Sequence, residues 1–273
     1  MSDQSFYVAS LAPLYDAFKA SDDLPRWVDL LLDPISRYGT GGTQLLDVGC
    51  GTASSCVAFA DRGYTVTGVD ASPQMLDRAR AKSETAHVNL VLADMRQLPP
   101  ELVGFDVVNW MGDVVNHLLT VDDVRAAIAS SAQALRPGGL LIFDANSLAT
   151  FNGAFTEHHV QEQEDAVFIW LGATKGTPCE GLASARIVAF QRRQGGDWTR
   201  TEGRVEERHH SATTIQRALK AAGLEHLVTY GLHAANLVTP ADEQRHGKVI
   251  YVARKPKPWE DAIDKSGGMG CTG

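Results

Sequence analysis

The sequence predicts an α/β fold built on a parallel β-sheet with helices on both faces. Two observations predict it. Short apolar runs alternate with longer amphipathic stretches along residues 45–144, which is the pattern of strand–helix–strand units. Three of the apolar runs also carry an acid at or near their ends, at Asp47, Asp70 and Asp94. Because ligands of open parallel sheets bind beyond the carboxyl ends of the strands, these acids indicate a ligand site.

The first two strands and the loop between them are the most informative stretch of the chain. The apolar run 45–48 leads into a loop that contains Gly49 and Gly51, and glycine allows a tight turn and a close approach of the backbone to a ligand. A second apolar run, residues 64–69, ends at Asp70, whose carboxylate can hold the two hydroxyls of a ribose. This stretch therefore predicts a site for a cofactor that contains a nucleoside.

The remaining elements follow in order. Residues 88–95 and 105–110 predict a third and a fourth strand. Residues 135–144 predict a helix end, a Pro-Gly-Gly turn and a fifth buried strand. Helical patterns at Ser72–Lys82 and Val121–Leu135 lie between them. Strands that alternate with helices in this way favour a parallel sheet covered on both faces.

Two cofactors fit this topology. A nicotinamide site usually reads G-x-G-x-x-G, and this chain has Ser54 where the third glycine belongs, which disfavours a dehydrogenase. The loop of S-adenosylmethionine (SAM) methyltransferases reads roughly acid-x-G-x-G-x-G; Asp47, Gly49 and Gly51 match it, and Ala53 replaces the last glycine. We expect Ala53 to reduce the space in the loop without abolishing binding.

From about Leu45 to Arg254, the chain resembles class I SAM-dependent methyltransferases. The matching pieces are Asp47-Val-Gly-Cys-Gly-Thr, Val69-Asp-Ala-Ser-Pro-Gln-Met, Ala93-Asp-Met, Phe105-Asp-Val-Val and Leu135-Arg-Pro-Gly-Gly. The resemblance implies a Rossmann-like, seven-stranded sheet whose last strand is antiparallel. Residues 224–230 and 248–254 fit the sixth and seventh strands, and residues 211–222 fit the helix before them, which Gly223 ends.

The resemblance also implies roles around SAM. Asp47 would act near the methionine end, and Gly49 and Gly51 would line it. Asp70 would bind the ribose, and Asp94 would accept a hydrogen bond from the adenine amino group. The other implied cofactor contacts are Ala71 and Met75 on the adenine, the Met95 backbone at the ring edge, and Trp110 and Met111 beside the sulfonium. Met75 could equally be a core residue.

Two regions outside the core pattern are expected to choose the methyl acceptor. The first, Phe6–Tyr38, contains helical patterns at Ser10–Lys19 and Leu24–Tyr38. Its Tyr15-Asp-Ala-Phe segment resembles an element that small-molecule methyltransferases place over the cofactor, where an aromatic face attracts a sulfonium. Tyr15 is therefore a candidate catalytic residue and Tyr7 a second aromatic contact; the alternative for Tyr15 is ordinary helix packing.

The second region is Phe155–His210, where Ala166–Ala173, Ala183–Arg192 and Trp198–His209 predict an antiparallel sheet above the carboxyl ends of the core strands. Its candidate lining residues are Phe168, Trp170, Arg186, Arg204 and Arg208. The chain therefore divides into a helical cap (1–40), a SAM-binding core (41–154 and 211–256), a β-insertion that acts as a substrate lid (155–210) and a flexible tail (257–273).

Residues after the fourth strand supply candidates for acid–base chemistry. His117 titrates near neutrality and could serve as a base, and Asn116 could orient it or bind substrate. The alternative for His117 is a surface or capping role. A metal site built from His209, His210 and the neighbouring acids is not expected, because the sequence offers no convincing set of carboxylate ligands.

Composition restricts the partners. The net charge of −8 over 273 residues, without a basic cluster interleaved with aromatics, argues against nucleic acid. No apolar run reaches membrane-spanning length, and the first residues do not read as a secretory signal. The four cysteines, Cys50, Cys56, Cys179 and Cys271, lack metal or disulfide spacing, which suits a reducing cytoplasm. The sequence leaves open whether the chain forms a homo-oligomer.

The sequence thus predicts a SAM-dependent methyltransferase that acts on a small molecule and releases S-adenosylhomocysteine. The N-terminal aromatic element and the β-insertion resemble amine N-methyltransferases of glycine metabolism and of amino-sugar and lincosamide antibiotic biosynthesis, so we favour an amine acceptor from secondary metabolism. The nearest alternative is an O-methyltransferase. A SAM-binding protein without turnover is a more distant one.

Overall fold

The computed structural model describes residues 12–20 and 23–258. Eight strands form the large sheet: β1 Gln44–Val48, β2 Thr65–Asp70, β3 Asn89–Leu92, β4 Phe105–Trp110, β5 Leu135–Asn146, β10 Glu225–His233, β11 Asn236–Val238 and β12 Lys248–Arg254. Their order is β11-β10-β12-β5-β4-β1-β2-β3. Strands β1 to β5 are parallel to one another, and β12 is antiparallel to both β5 and β10.

This arrangement confirms the predicted fold class and its antiparallel last strand. The structure adds a short eighth strand at one edge, β11, which forms a hairpin with β10. Strand β11 was not predicted, because a three-residue edge strand is too short to show a periodic pattern in the sequence.

The central strands are buried because their residues are apolar on both faces. Strand β4 is buried at all six positions. The rings of Trp110 and Phe143 lie 4.9 Å apart between centroids, and those of Phe143 and Tyr251 lie 5.1 Å apart. This row of aromatic rings crosses β4, β5 and β12 and fixes the strands relative to one another.

Seven α-helices accompany the strands in the described part of the chain: α1 Tyr15–Phe18, α2 Leu24–Tyr38, α3 Ser54–Ala60, α4 Pro73–Arg80, α5 Val121–Ala134, α6 Leu148–Asn152 and α7 Ala212–Ala221. Polar caps explain several starts. Ser72 accepts a hydrogen bond from Met75 N at 3.2 Å, and Thr120 accepts one from Asp123 N at 3.0 Å. Each cap satisfies an amide at the exposed start of its helix.

The insertion forms a separate antiparallel sheet with the order β6-β7-β8-β9. Its strands are β6 His158–Glu162, β7 Ala166–Gly172, β8 Leu182–Arg192 and β9 Trp198–Arg208. Phe168 on β7 is buried and packs against Phe18 of α1, with ring centroids 5.4 Å apart. The insertion sheet therefore meets the N-terminal helix.

Tyr7, most of the predicted tail and Cys271 lie outside the described residues. Among the residues that the structure describes, no helix has the length and apolar character needed to cross a membrane.

Candidate active site

The loop after β1 is fixed by hydrogen bonds to β2 and to Asp70. Gly49 N and Cys50 N donate to Val69 O, at 2.7 and 3.0 Å. Gly51 N donates to Asp70 Oδ2 and Ser72 N to Asp70 Oδ1, each at 2.8 Å. One carboxylate thus ties the glycine loop to the start of α4. Burial raises the pKa of Asp70, and these backbone donors oppose that rise.

Both glycines of the loop have a left-handed backbone, and at Gly49 a side chain would also clash. Gly49 has φ +76°, and a Cβ there would lie 2.8 Å from two carbon atoms of Val114. Gly51 has φ +55°, and a Cβ there would lie 3.7 Å from Tyr15 Cε1. The next expected glycine is Ala53, which is buried and adopts φ +62°. The cost of alanine at this position is therefore the free energy of holding a residue with a Cβ in the left-handed conformation.

Asp47 lies beneath the loop, 1% exposed. It accepts hydrogen bonds from Asn109 Nδ2 at 2.7 Å, from Cys56 Sγ at 3.3 Å and from the Ser55 hydroxyl. Burial raises the pKa of this carboxyl, and the three donors counteract it. Asp47 therefore joins β1, α3 and β4 under the loop, a supporting position.

The other residues that were expected to contact the cofactor differ in their exposure. Ala71 is exposed at the start of the α4 turn, Met75 is buried on α4, and Met95 and Met111 are partly buried. Asp94 is held by Arg96, whose Nε lies 3.0 Å from each carboxylate oxygen. This ion pair lowers the pKa of Asp94 and occupies the group that was expected to meet the adenine.

The prediction that Trp110 borders the sulfonium is wrong for its side chain. Trp110 is fully buried in the core and donates from Nε1 to Ser131 Oγ at 3.2 Å. Because β4 is covered on both faces, a large apolar residue at its end is buried against α5 instead of facing the loop.

Helix α1 is attached to the glycine loop through Asp16. Asp16 Oδ1 accepts from Thr52 Oγ1 at 2.5 Å and from Lys82 Nζ at 2.8 Å. Lys82 Nζ also donates to Thr52 O at 3.0 Å. These bonds hold the ring of Tyr15 against Gly51, so the structure brings this predicted pair together.

A cavity of about 340 Å³ lies between the loop after β4, helix α1 and the insertion sheet. Apolar residues form much of its wall: Phe18, Ala154, Phe155, Val160, Phe168, Trp170 and Val205. Tyr15 and His117 also line it, which joins two of the predicted catalytic residues in one pocket. Of the five insertion residues expected in the lining, only Phe168 and Trp170 are found there among the described residues. Arg186 pairs with Glu202 and Arg204 lies beside Glu206 on the exposed face, and Arg208 Nη1 donates to Leu119 O at 3.1 Å.

Lys248, at the start of β12, supports the polar end of the cavity through Asp113, which lines it. Its Nζ lies 2.7 Å from Asp113 Oδ1 and 2.6 Å from Asp144 Oδ2. Asp144 also accepts from Gly112 N and Asp113 N, at 2.6 and 3.0 Å. Burial acts against the charge of Lys248, but the two carboxylates raise its pKa. Burial likewise opposes the ionisation of Asp113, but Lys248 and Lys19 hold the pKa of this carboxyl well below its usual range.

Glu207 and His117 complete this polar end. Glu207, on β9, is 3% exposed and accepts from Asn146 Nδ2 at 2.8 Å. Burial and the nearby charge of Asp113 raise the pKa of Glu207 to about 8. His117 Nε2 lies 3.9 Å from Asp113 Oδ2, and enclosure in the cavity lowers the pKa of its ring. At neutral pH the imidazole is therefore uncharged.

Asn116 does not reach the cavity, contrary to its predicted catalytic role. It is fully buried; its Nδ2 donates to Arg208 O at 3.0 Å, and its Oδ1 accepts from Asn146 N at 2.8 Å. Asn116 instead joins the loop after β4 to β5 and β9, because an amide has both the donor and the acceptor that unpaired backbone groups need.

Within residues 12–20 and 23–258, one cluster of potential metal ligands is close enough to hold an ion: Asp113, His117 and Glu207, with one ligand atom from each inside 4.8 Å. Lys248 already neutralises Asp113. The 3.9 Å between His117 and Asp113 is also wider than the roughly 3.4 Å between ligands of a tetrahedral zinc ion. The cluster therefore fits a metal ion poorly.

Comparison with known proteins shows what the chain is similar to. Residues 45–139, which hold the glycine loop and the acids of β2 and β3, match the family model of the methyltransferase domain. This stretch of the chain is therefore similar to a methyltransferase domain. A protein of Geobacillus sp. (strain WCH70), provisionally named a methyltransferase, is 28% identical over 251 residues, which cover 90% of this chain and 98% of that protein.

Solved structures share the fold of this chain over most of its length. A SAM-dependent methyltransferase from Clostridium acetobutylicum matches with a TM-score of 0.75 at 22% identity, covering 91% of this chain and 98% of that one. SAM-bound CalS10 from Micromonospora echinaspora, an amino pentose methyltransferase involved in calicheamicin biosynthesis, matches with a TM-score of 0.70 at 23% identity, covering 89% and 96%. The sugar N-methyltransferase KedS8 from Streptoalloteichus sp. matches with a TM-score of 0.67 at 20% identity, covering 89% and 93%.

Proposed function

We propose that this methyltransferase transfers a methyl group from SAM to an amine nitrogen of a small molecule, in the pathway of an antibiotic or another secondary metabolite. One observation carries the proposal. The ring of Tyr15 lies against Gly51 and also lines the cavity, so the same side chain borders both the cofactor loop and the space for an acceptor.

The residues of the loop fit SAM. Gly51 has no side chain beneath the Tyr15 ring, and Asp70 lies at the end of β2 with both oxygens already oriented by backbone amides. A carboxylate fixed at this place can accept hydrogen bonds from ribose hydroxyls. Asp47 supports the loop from below, and we assign it no direct contact with SAM.

The cavity supports a small acceptor. It is enclosed by aromatic residues from α1 and the insertion sheet, and we infer that residues 155–210 serve as the lid of the acceptor site. KedS8 is a sugar N-methyltransferase and CalS10 an amino pentose methyltransferase. Both share the fold of this chain, which supports an amine acceptor without identifying it.

The chemistry that SAM supplies when bound is an activated methyl group, which the acceptor's lone pair takes as the carbon–sulfur bond breaks with its electrons on sulfur. The chain's own residues mainly align the acceptor and exclude water. Tyr15, Phe168 and Trp170 enclose the space, and the loop held by Asp144 places Asp113 at its polar end.

The test is calorimetric titration of the purified chain with SAM, followed by mass detection of methyl transfer to a panel of amines and phenols. We expect Asp70→Ala to weaken SAM binding by about 10- to 100-fold, the range for a lost hydrogen bond to a charged group. Asp77→Ala is the matched control, because its carboxylate lies on the exposed side of α4 and pairs with Arg80. Equal SAM affinity in all three proteins would contradict the cofactor assignment.

A further inference from the structure

We propose that Glu207, together with Asp113 and His117, forms a recognition site for the ammonium group of the acceptor, and that the acceptor is a compact amine carrying no phosphate. This inference rests on the proposed function and specifies the substrate class of the same cavity. Neither Glu207 nor Asp113 is among the residues that the sequence singled out as catalytic.

The geometry of the three side chains suits an ammonium group. Each offers one acceptor atom to the cavity, and the three atoms lie within 4.8 Å of one another. An alkylammonium group carries three N–H donors, which equals the number of acceptor atoms that these side chains offer. The two elements that carry them, β9 and the loop after β4, are held by the hydrogen bonds of Asn116 and Lys248.

The charges of the site suit a cation. Asp113 is ionised beside Lys248, and the neutral ring of His117 can accept a hydrogen bond. Glu207 is 3% exposed, and the hydrogen bond from Asn146 Nδ2 uses one of its two carboxylate oxygens, Oε2. The arrival of a cation would favour the ionised form of Glu207, since an opposite charge stabilises a buried carboxylate.

The rest of the cavity offers few groups to an anionic acceptor. Its described lining carries two carboxyl groups, Asp113 and Glu207, and one ammonium group, that of Lys19, and the ammonium of Lys248 is already paired with Asp113. A phosphate or diphosphate group would need several arginines or lysines, and the described lining contains no arginine. The aromatic rings of Phe155, Phe168 and Trp170 suit an apolar or ring-shaped body.

Glu207 also provides a place for the proton that the amine must lose. The N–H bond of the ammonium breaks with its electron pair left on nitrogen, and the proton moves to the Glu207 carboxylate. Burial raises the pKa of Glu207 to about 8. This pKa is closer to the pKa of an alkylammonium, near 10.4, than the pKa of an ordinary glutamate is. The free lone pair then accepts the methyl group, and Glu207 returns its proton to water when the product leaves.

The test compares two probes that differ in one group, benzylamine and benzyl alcohol. Their binding to the full chain with S-adenosylhomocysteine present is measured by calorimetry at pH 7.5, for the parent, Glu207→Gln and Glu206→Gln. Glu206 is the matched control because it is the neighbour of Glu207 on β9 and its side chain is exposed on the opposite face. SAM affinity is measured on the same samples.

We expect the parent to bind benzylamine at least tenfold more tightly than benzyl alcohol, as a charge-assisted hydrogen bond implies. Glu207→Gln should bind benzylamine about tenfold more weakly than the parent does, with little change in its affinity for benzyl alcohol. Glu206→Gln should change neither affinity. The inference is overturned if the parent does not distinguish the probes, if it does not bind the amine, or if both variants lose affinity equally. Intact SAM binding beside any of these results would leave the methyltransferase proposal standing, whereas loss of SAM binding in the parent would overturn that proposal instead.

Discussion

Thr52 Oγ1 donates a hydrogen bond to Asp16 Oδ1 at 2.5 Å, which ties the N-terminal helix to the cofactor loop. Lys82 reaches the same oxygen from the end of α4. The position of Tyr15 therefore depends on a polar contact between segments that lie 36 residues apart in the sequence. This dependence makes the contact testable.

The first prediction concerns Asp16→Ala. Loss of the carboxylate releases α1 from Thr52 and Lys82, and we expect SAM affinity to fall by about three- to tenfold, since a partly exposed hydrogen-bonded ion pair is worth about 1 kcal/mol. Calorimetry with SAM measures it. Asp33→Ala is the control, because Asp33 is exposed on α2, where its carboxylate lies 3.6 Å from Arg37 Nη2. A SAM affinity as high as that of Asp33→Ala would show that α1 does not contribute to cofactor binding.

The second prediction concerns Tyr15. Tyr15→Phe keeps the aromatic face against Gly51, so it should retain most of the kcat/KM of the parent. Tyr15→Ala removes the face and should lower kcat/KM by about tenfold or more, while urea denaturation shifts by less than about 1 kcal/mol, because the residue is only half-buried. If both variants match the parent in kcat/KM, Tyr15 serves helix packing alone.

The third prediction concerns the backbone of the loop. Ala53 holds φ +62°, a left-handed conformation that costs a residue with a Cβ about 1 kcal/mol. Ala53→Gly should therefore raise the free energy of unfolding by about 0.5–1 kcal/mol, measured by urea denaturation. Ala60→Gly, in the helix α3 that follows, should lower it by a similar amount. Destabilisation in both variants would mean that the methyl group of Ala53 contributes more by packing than its conformation costs.

The sequence predicted the sheet well because its strands carry strong local signals. Apolar runs of five to seven residues, broken by Gly49 and by the Pro137-Gly138-Gly139 turn, mark the strand ends without reference to the rest of the chain. The same argument failed at Trp110. Burial of both faces of β4 removes the alternation that would have shown which side of the sheet a side chain occupies.

The polar end of the cavity could not be predicted from local patterns, because its members come from distant parts of the chain. Asp113, Asp144 and Lys248 are adjacent only because β4, β5 and β12 are neighbours in the sheet. A weak signal existed: Lys248 opens an otherwise apolar strand, and Asp144 follows one. Glu207 lies two residues after Val205 on β9, and Val205 is buried. Because side chains two residues apart lie on the same face of a strand, this spacing also indicated that Glu207 lies on the inner face.

The fourth prediction separates amine from hydroxyl acceptors through His117. An amine acceptor needs only its own neutral form, so His117→Asn should lower kcat/KM by less than about tenfold, through lost alignment. If the acceptor is a hydroxyl and His117 is its general base, the substitution should lower kcat/KM by about 10²–10⁴-fold. The limb of the pH–rate profile that reports the histidine should also disappear. His226→Asn, on β10 outside the described lining, is the control. A loss in the larger range would favour O-methylation.

The fifth prediction follows from the buried carboxyl of Glu207. Its pKa is about 8 in the folded chain and near 4.5 when unfolded, so between these values the folded state holds a proton that the unfolded state has lost. A rise in pH through this window therefore destabilises the parent, by up to about 1.4 kcal/mol per pH unit, and the effect ends above pH 8. Glu207→Gln keeps an oxygen for Asn146 but does not titrate, so it should escape this loss.

Urea denaturation at pH 5.5, 7 and 8.5 measures the difference in unfolding free energy between Glu207→Gln and the parent. That difference should increase with pH in favour of the variant, whereas the difference for Glu206→Gln should stay constant, because Glu206 is exposed. Groups that titrate in the same range, such as His117, are common to all three proteins and cancel in the comparison. A difference that does not change with pH would mean that Glu207 ionises in the fold as an ordinary glutamate does. It would then meet the acceptor as a fixed negative charge and could not serve as its proton acceptor.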